Sequence, residues 1–445
     1  MSLRKIIQEA EKRREVLHIT DEVSPKYEVA CLMREFDDGP ILVFDRVEGY
    51  NMKVIANVCG SRGRLAYALG INEMELHSKL YSSINSPAPP DVASSAPSQE
   101  VIEEPDLTIL PILTHFEKDK GPYITSGVVY ARNREDQVEN VSIHRLQVLD
   151  DSTLAIRLVP RHLYRIWMAA KERRENLEVA ISLGSHPAVY LAAASSPPYG
   201  VNEYHIANSL MDGKLKLAKC LKTECFVPAE AEIVIEGEIS FEKEAMEGPF
   251  VDILGTYDIE RLQPKVNVKT ITHRKECLYQ AILPSGMEHK LLMGLPREAV
   301  IHEAVSRVVP YVKDVVLTSG GGGWLHALIS IRKQKEGDGK NALLAAFAAH
   351  PSLKHAIVVD DDIDIYDLSA VEWAVATRFQ ADEDLIVIGK ARGSSLDPSS
   401  DQERLLTSKL GLDATRPLDK PTEKFDRARI PLSGRVKELV EKLRK

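Results

Sequence analysis

The sequence is poor in cysteine and shows no pairing pattern. Its five cysteines are Cys31, Cys59, Cys220, Cys225 and Cys277, an odd number with no C-x-x-C among them. This argues against a disulfide framework or a zinc ribbon and points to a reducing compartment. Cys220 and Cys225 have no activating neighbours and read as inert. Long apolar runs are also missing. Stretches such as NALLAAFAAH fall far short of the roughly 20 residues of a membrane span. The N-terminal MSLRKIIQEAEKRREV is charged and amphipathic, without an apolar signal core. The expectation is a cytoplasmic protein with no membrane span. Basic charge is not in excess either: Lys and Arg number 57 against 66 Asp and Glu, a net charge of −9. That argues against a nucleic-acid partner and against anionic membranes. An anionic substrate would need a local basic pocket.

Two tempting signals are incomplete. Ser319-Gly320-Gly321-Gly322-Gly323 lacks the G-K-[ST] ending of a P-loop and the spacing of a dinucleotide fingerprint, so it reads as a turn. Asp360-Asp361-Asp362-Ile363-Asp364 follows a strand pattern. It reads as a solvated strand end and helix cap in preference to a magnesium site.

What is present is an ordinary globular composition, 44% hydrophobic and 28% charged over 445 residues. That length predicts several domains, and no internal repeat is visible. The fold class is mixed α+β. Residues 1–104 form a small N-terminal α/β unit and linker. In it, Leu3, Ile6, Ile7 and Ala10 recur at helical spacing. Its end, SINSPAPPDVASSAPSQE, is too rich in Pro, Ser and Ala to build a core and reads as a linker or exposed loop. Residues 105–295 carry YITSGVVYARN, NVSIHRLQVLDD, TLAIRLVP, EVAISLG, AVYLAAA and AEIVIEGEIS, all read as strands of an antiparallel, split-barrel domain. HLYRIWMAAKERRE and EYHIANSLM interrupt them as helices. Residues 296–430 alternate helix and strand patterns, which implies a C-terminal α/β domain. Residues 431–445 form a terminal helix whose stripe, Val436, Leu439, Val440 and Leu443, must bury in this chain or in a partner's.

The residues with chemistry each have an ordinary explanation when taken singly. In NVSIHR, strand parity sets Asn140, Ser142 and His144 on one face and Val141, Ile143 and Arg145 on the other, unless a bulge intervenes. His162 and Glu203 open helices, where an acid is a simple cap. In EGPFVD, Glu247 and Asp252 flank a Gly-Pro turn.

In order and spacing, these residues resemble the UbiD-type decarboxylases, the enzymes that use prenylated FMN. The resemblance spans residues 105 to 420 through ENVSIHR, RHL, NEY, VPAEAEIVIEGEI, EGPFVD, HKLLMGLPREA, VVDDDID, WAVATR and SKLGLDAT. It implies that Asn140, His162 and Glu203 are metal ligands. With the cofactor phosphate they would hold Mn²⁺ (or Mg²⁺), with K⁺ nearby. An amide, an imidazole and a carboxylate form a mostly hard set that suits such an ion. It also implies that Lys409 contacts the phosphate and that Ser142 and Ile143 line the flavin. Arg145, Glu247 and Asp252 would form the catalytic network. In that network Arg145 fixes Glu247 and orients the substrate carboxylate, and Asp252 delivers the proton that replaces CO₂. The scheme requires the arginine's field to fall mainly on Glu247, since a neighbouring Arg lowers an acid's pKa by about 1–3 units.

The resemblance further implies a flavin prenyltransferase as cofactor supplier and a homodimer or higher homo-oligomer. The short chain and the EGPFVDILGTYD form are similar to the branch that converts trans-anhydromevalonate 5-phosphate to isopentenyl phosphate. That substrate calls for basic groups near the pocket; Arg274, Lys275 and Lys290 are the candidates. The alternatives are a 4-hydroxy-3-prenylbenzoate or other aromatic acid as substrate, a flavin-binding carrier without catalysis, and a metal hydrolase.

Overall fold

The computed structural model describes residues 2–428, 430, 431 and 433–443. Its first helix, Leu3–Lys12, buries Leu3, Ile6, Ile7 and Ala10, the face its periodicity predicts. A four-stranded sheet follows in the order Val16–Ile19, Ile41–Phe44, Lys53–Ala56, Leu278–Gln280. The last strand comes from the far end of the barrel segment and pairs parallel to Lys53–Ala56.

The Pro/Ser/Ala stretch is an exposed surface segment but not a loose linker. Asp91 and Val92 pair in parallel with Lys216 and Leu217. The Ser98 amide donates to Ala229 O at 3.2 Å, and its side chain is buried. Composition reports which side chains can build a core; it does not report where backbone groups find partners.

Six antiparallel strands close into a barrel. The order is Ile233–Glu247, Leu177–Leu183, Tyr123–Arg132, Glu139–Asp150, Thr153–Ile156, Arg261–His273, and the last pairs back to the first. Closure leaves no open edge among these six. AVYLAAA is not one of them. It lies in the helix Pro187–Ala194, all eight of whose residues are buried. A short, wholly apolar run has no polar face to reveal its period, so a buried helix and a buried strand look alike in sequence.

One helix, Met287–Ser306, leads out of the barrel to the second sheet. That sheet is mixed and ordered Val312–Leu317, His326–Ile331, His355–Asp360, Leu406–Ala414, Leu385–Arg392. The glycine-rich segment is a hydrogen-bonded turn, with Gly322 N on Ser319 O at 3.0 Å and Gly323 N on Thr318 O at 2.9 Å. The acidic run is answered by a cation of the chain itself. Arg378 bonds Asp360 at 2.8 Å and Asp362 at 3.0 and 2.8 Å. The terminal helix, Gly434–Leu443, leaves Val436, Leu439, Val440 and Leu443 exposed.

Candidate active site

Arg145 sits on the barrel strand Glu139–Asp150. His144 pairs with Gly127 and Leu146 with Ile124, so the neighbouring strand bulges opposite Arg145. Asn140, Ser142 and His144 share a face, as the parity predicts. The Ser142 hydroxyl reaches Asn140 Oδ1 at 3.0 Å and His144 Nε2 at 2.9 Å. The far nitrogen of His144 meets Arg157 O at 2.9 Å. Burial pushes the His144 imidazole down to about 4, so the ring is neutral near pH 7.

Glu247 ends the strand Ile233–Glu247. The chain then turns through Gly248 at φ +95°, where a Cβ would lie 3.2 Å from Ile259 O. The Gly248 amide donates to the Tyr123 hydroxyl at 3.1 Å and to Gln147 Oε1 at 3.2 Å. Phe250 pairs with Asp258 and Val251 with Tyr257. This two-rung hairpin carries Asp252 and returns Asp258 to the arginine.

The guanidinium grips Glu247 with both prongs, Nε–Oε1 at 2.8 Å and Nη2–Oε2 at 3.0 Å. Nη2 also bonds Asp258 Oδ2 at 3.1 Å. Asp252 lies further off, 3.6 Å from Nη1. Glu247 is wholly buried, whereas the Asp252 side chain is 30% exposed. The field of the arginine thus falls first on Glu247, as the proton-delivery scheme requires. Burial alone would lower the Arg145 pKa, but Glu247, Asp252 and Asp258 raise it on balance. Phe250 closes one side, its ring centroid 5.2 Å from the guanidinium carbon. His289, from the helix Met287–Ser306, lies near enough to feel the charge of Asp252. Burial lowers its imidazole pKa while Asp252 pulls it up.

Two further acids belong to this network. Asp258 is held by Arg145 and by Arg261 at 2.7 and 2.8 Å, with Arg157 at 3.4 Å. Burial would raise its pKa, but the three arginines bring it below the ordinary value. Asp119 accepts from the amides of His115 at 3.2 Å and Phe116 at 2.9 Å, and its other oxygen has no partner. Burial pushes it up to about 6 against those amides and Arg145. The GTYD that follows the EGPFVD motif could have pointed to Asp258. Nothing local marks Asp119, which reaches Arg145 only through the fold.

Glu203 opens the helix Glu203–Leu210 with its carboxylate inside the protein. It accepts from Asn140 Nδ2 at 2.9 Å and from Val141 N at 2.7 Å. Both donors are neutral, and burial pushes its pKa up to about 8 despite them. His162 starts the helix His162–Glu172 and packs edge-on against Tyr199 at 5.5 Å, in the segment just before Glu203. Among the described residues no three His, Cys, Asp or Glu gather as a metal site. Among the described residues a hydrogen bond joins Asn140 to Glu203, and none ties His162 to either. A buried carboxylate with only neutral donors fits a bound cation.

The other expected residues fall out differently. Ile143 packs, half-buried, against the core that the N-terminal unit shares with the helices Pro187–Ala194 and Glu203–Leu210. The Lys409 ammonium donates to the carbonyls of Pro351, at 2.7 Å, and Leu353. Here it is buried in the second domain, not projecting from it. Arg274 pairs with Glu230 at 2.9 Å. Lys275 belongs to the same outer patch, its carbonyl taken by Arg4 at 3.1 Å. Lys290 lies one residue from His289, its ammonium 3.4 Å from Ser319 Oγ.

The 3-octaprenyl-4-hydroxybenzoate carboxy-lyase N-terminal, Rift-related and C-terminal domains match residues 7–84, 91–287 and 290–414. The chain belongs to the UbiD family. It is 44% identical over 413 residues to the anhydromevalonate phosphate decarboxylase of Methanothermobacter thermautotrophicus, covering 93% of this chain and 96% of that one. To the protein of that name from Aeropyrum pernix it is 45% identical over 411 residues, 92% of each chain. Among solved structures, the UbiD-class enzyme HmfF from Pelotomaculum thermopropionicum in complex with FMN superposes with a TM-score of 0.94. Identity is 41%, over 97% of this chain and 98% of that one. Apo 3,4-dihydroxybenzoic acid decarboxylase from Klebsiella pneumoniae superposes at 0.92 with 29% identity, over 99% of both chains. The UbiD barrel is thus the scaffold that carries Arg145, Glu247 and Asp252. Among the described residues no helix is long and apolar enough to cross a membrane.

Proposed function

We propose that this chain decarboxylates trans-anhydromevalonate 5-phosphate to isopentenyl phosphate with prenylated FMN. The observation that carries the reading is the intact Arg145–Glu247–Asp252 network, in a chain about 44% identical over nearly its full length to anhydromevalonate phosphate decarboxylases. When bound, the prenylated flavin supplies an electron sink for the unsaturated bond as CO₂ leaves. The protein's part is orientation, exclusion of water and the proton. Glu247 keeps Arg145 in one rotamer by its two-pronged grip. The remaining guanidinium edge, toward Asp252, is where a substrate carboxylate would dock. Of the two motif acids, Asp252 has the weaker hold from Arg145 and the more exposed side chain. It is the acid placed to deliver a proton to carbon. His289 stands beside it as a neutral relay or positioning group.

Asn140, His162 and Glu203 would hold Mn²⁺ or Mg²⁺, which clamps the cofactor phosphate, with K⁺ nearby. Ser142, Ile143 and Lys409 complete the cofactor's surroundings in this reading; Lys409 would have to leave its carbonyls to touch the phosphate. The uncovered stripe of the terminal helix supports a homodimer or larger homo-oligomer. A flavin prenyltransferase supplies the cofactor, and the protein works in the cytoplasm. Residues 1–104, 105–295, 296–430 and 431–445 serve as the domain units.

The test is co-expression with a flavin prenyltransferase, followed by assay of CO₂ release. The phosphorylated enoic acid should yield isopentenyl phosphate. Turnover of 4-hydroxy-3-prenylbenzoates in its place would move the substrate to the aromatic class. Flavin binding without CO₂ release from any unsaturated acid would make the protein a carrier.

A further inference from the structure

Arg161, Arg297 and Lys409 lie close enough together to act on one histidine, His350, and among the described residues no carboxylate answers them. Arg161 precedes His162 at the start of the helix His162–Glu172. Its bond to Ser196 Oγ, at 3.1 Å, is to a neutral group. Arg297 lies on the helix Met287–Ser306. Its Nε is buried and has no partner. Its guanidinium stands over the Trp324 ring at 5.6 Å. Trp324 is 2% exposed, and its indole N–H is orphaned as well. His350 packs edge-on against Trp324 at 4.6 Å and is held by Trp324 O at 3.0 Å. Arg161, Arg297 and Lys409 all act on His350 in the same sense, pushing its pKa down after burial itself. Among the described residues, no Asp or Glu lies within ion-pair distance of Arg161, Arg297 or Lys409.

Like charges in such a place repel, and a buried donor left without a partner is costly. Both costs vanish if an anion sits among them. The cofactor phosphate has its own counter-charge in the proposed metal, so the arginines remain for a second anion. Distance agrees. His289, beside Asp252, and Arg297 are eight residues apart on one helix, about 12 Å at 1.5 Å per residue. An enoic acid with a five-carbon chain, a methyl branch and a terminal phosphate bridges that span once the reach of an arginine is included.

We propose that Arg297, with Arg161 beside it and the Trp324 N–H, forms a phosphate subsite that holds the far end of the substrate. The site recognises a phosphate monoester dianion on a short unsaturated acid, and it sets specificity against unphosphorylated acids. The inference deepens the substrate reading above and is tested so that the two can fail separately.

The experiment uses the holoenzyme with isopentenyl phosphate and inorganic phosphate as probes. Binding is read by calorimetry, and flavin content by absorbance. Wild type should bind both probes. In Arg297→Ala the affinity for isopentenyl phosphate should fall on the order of 10–100-fold, the loss of one charged hydrogen-bond donor. Its KM for the phosphorylated acid should rise more than its kcat falls, and its flavin content should hold. Arg297→Lys should recover part of the binding, and its melting curve checks that the fold is intact. Flavin loss in Arg297→Ala would assign the cluster to the cofactor and overturn the proposal. So would phosphate binding that is absent in wild type or unchanged in the variant. If wild type binds isopentenyl phosphate through Arg297 yet does not decarboxylate the phosphorylated acid, the subsite stands and the substrate reading falls.

Discussion

Arg145 holds Glu247 and Asp252 unequally: two bonds at 2.8 and 3.0 Å to the first, a single approach of 3.6 Å to the second. Two acids five residues apart in sequence thereby take different electrostatic roles. The buried one is gripped by both prongs of the guanidinium, and the half-open one is left accessible.

Asp252→Asn should remove the proton donor and leave the rest of the grip in place. Turnover should fall by about 10²–10⁴-fold, the usual worth of a positioned acid, while flavin content and melting temperature stay near wild type. Single-turnover CO₂ release and absorbance measure the two sides. Turnover within a fewfold of wild type would remove Asp252 from the role.

Glu247→Gln should fail differently. It strips Arg145 of its buried partner, and breaking such a pair costs about 3–5 kcal/mol. Activity and melting temperature should fall together in this variant, as read by assay and calorimetry. Asp258, with its own bond to Arg145, limits how far the arginine can swing.

Asp119 gives a pH signature. Its folded pKa, about 6, lies above the ordinary aspartate value of 3.8. Its burial therefore costs nothing at low pH and progressively more as pH rises from about 4 to about 6. Asp119→Asn should abolish that loss. The difference in unfolding free energy between the variant and wild type should grow in the variant's favour across this window and then level off. Denaturant titrations at pH 4, 5, 6 and 7 read it; a constant difference would contradict the assignment.

Two acid sites should respond oppositely to cations. Mn²⁺ should raise the melting temperature of the wild-type apoprotein, by the stabilisation expected of a ligand that binds only the folded state. Glu203→Gln should suppress that shift. Asp360 and Asp362 already have Arg378, so Asp362→Asn should leave the Mn²⁺ shift unchanged. Arg378→Ala should cost about 3–5 kcal/mol by leaving Asp360 buried without its partner.

Local pattern was enough for the Leu3–Lys12 helix, five of the six barrel strands (Arg261–His273 was not among those read) and the shared face of Asn140, Ser142 and His144, because periodicity 3.6 or 2 follows from backbone geometry alone. The ordered motifs also sufficed for the UbiD family. Other features needed the assembled chain. The Pro187–Ala194 helix has no polar face from which to read a period. Leu278–Gln280 joins a sheet whose other strands lie far up the chain, and Asp91–Val92 finds its partner at Lys216 and Leu217. Asp258 bonds Arg145, Asp119 feels its charge, and Lys409 turns to Pro351 O, all through placements that sequence distance does not encode. Residue types set which side chains can do chemistry and which face they share. Which charges meet is a property of topology, since an ion pair is decided by a few ångströms of separation and by how much water the fold leaves between them.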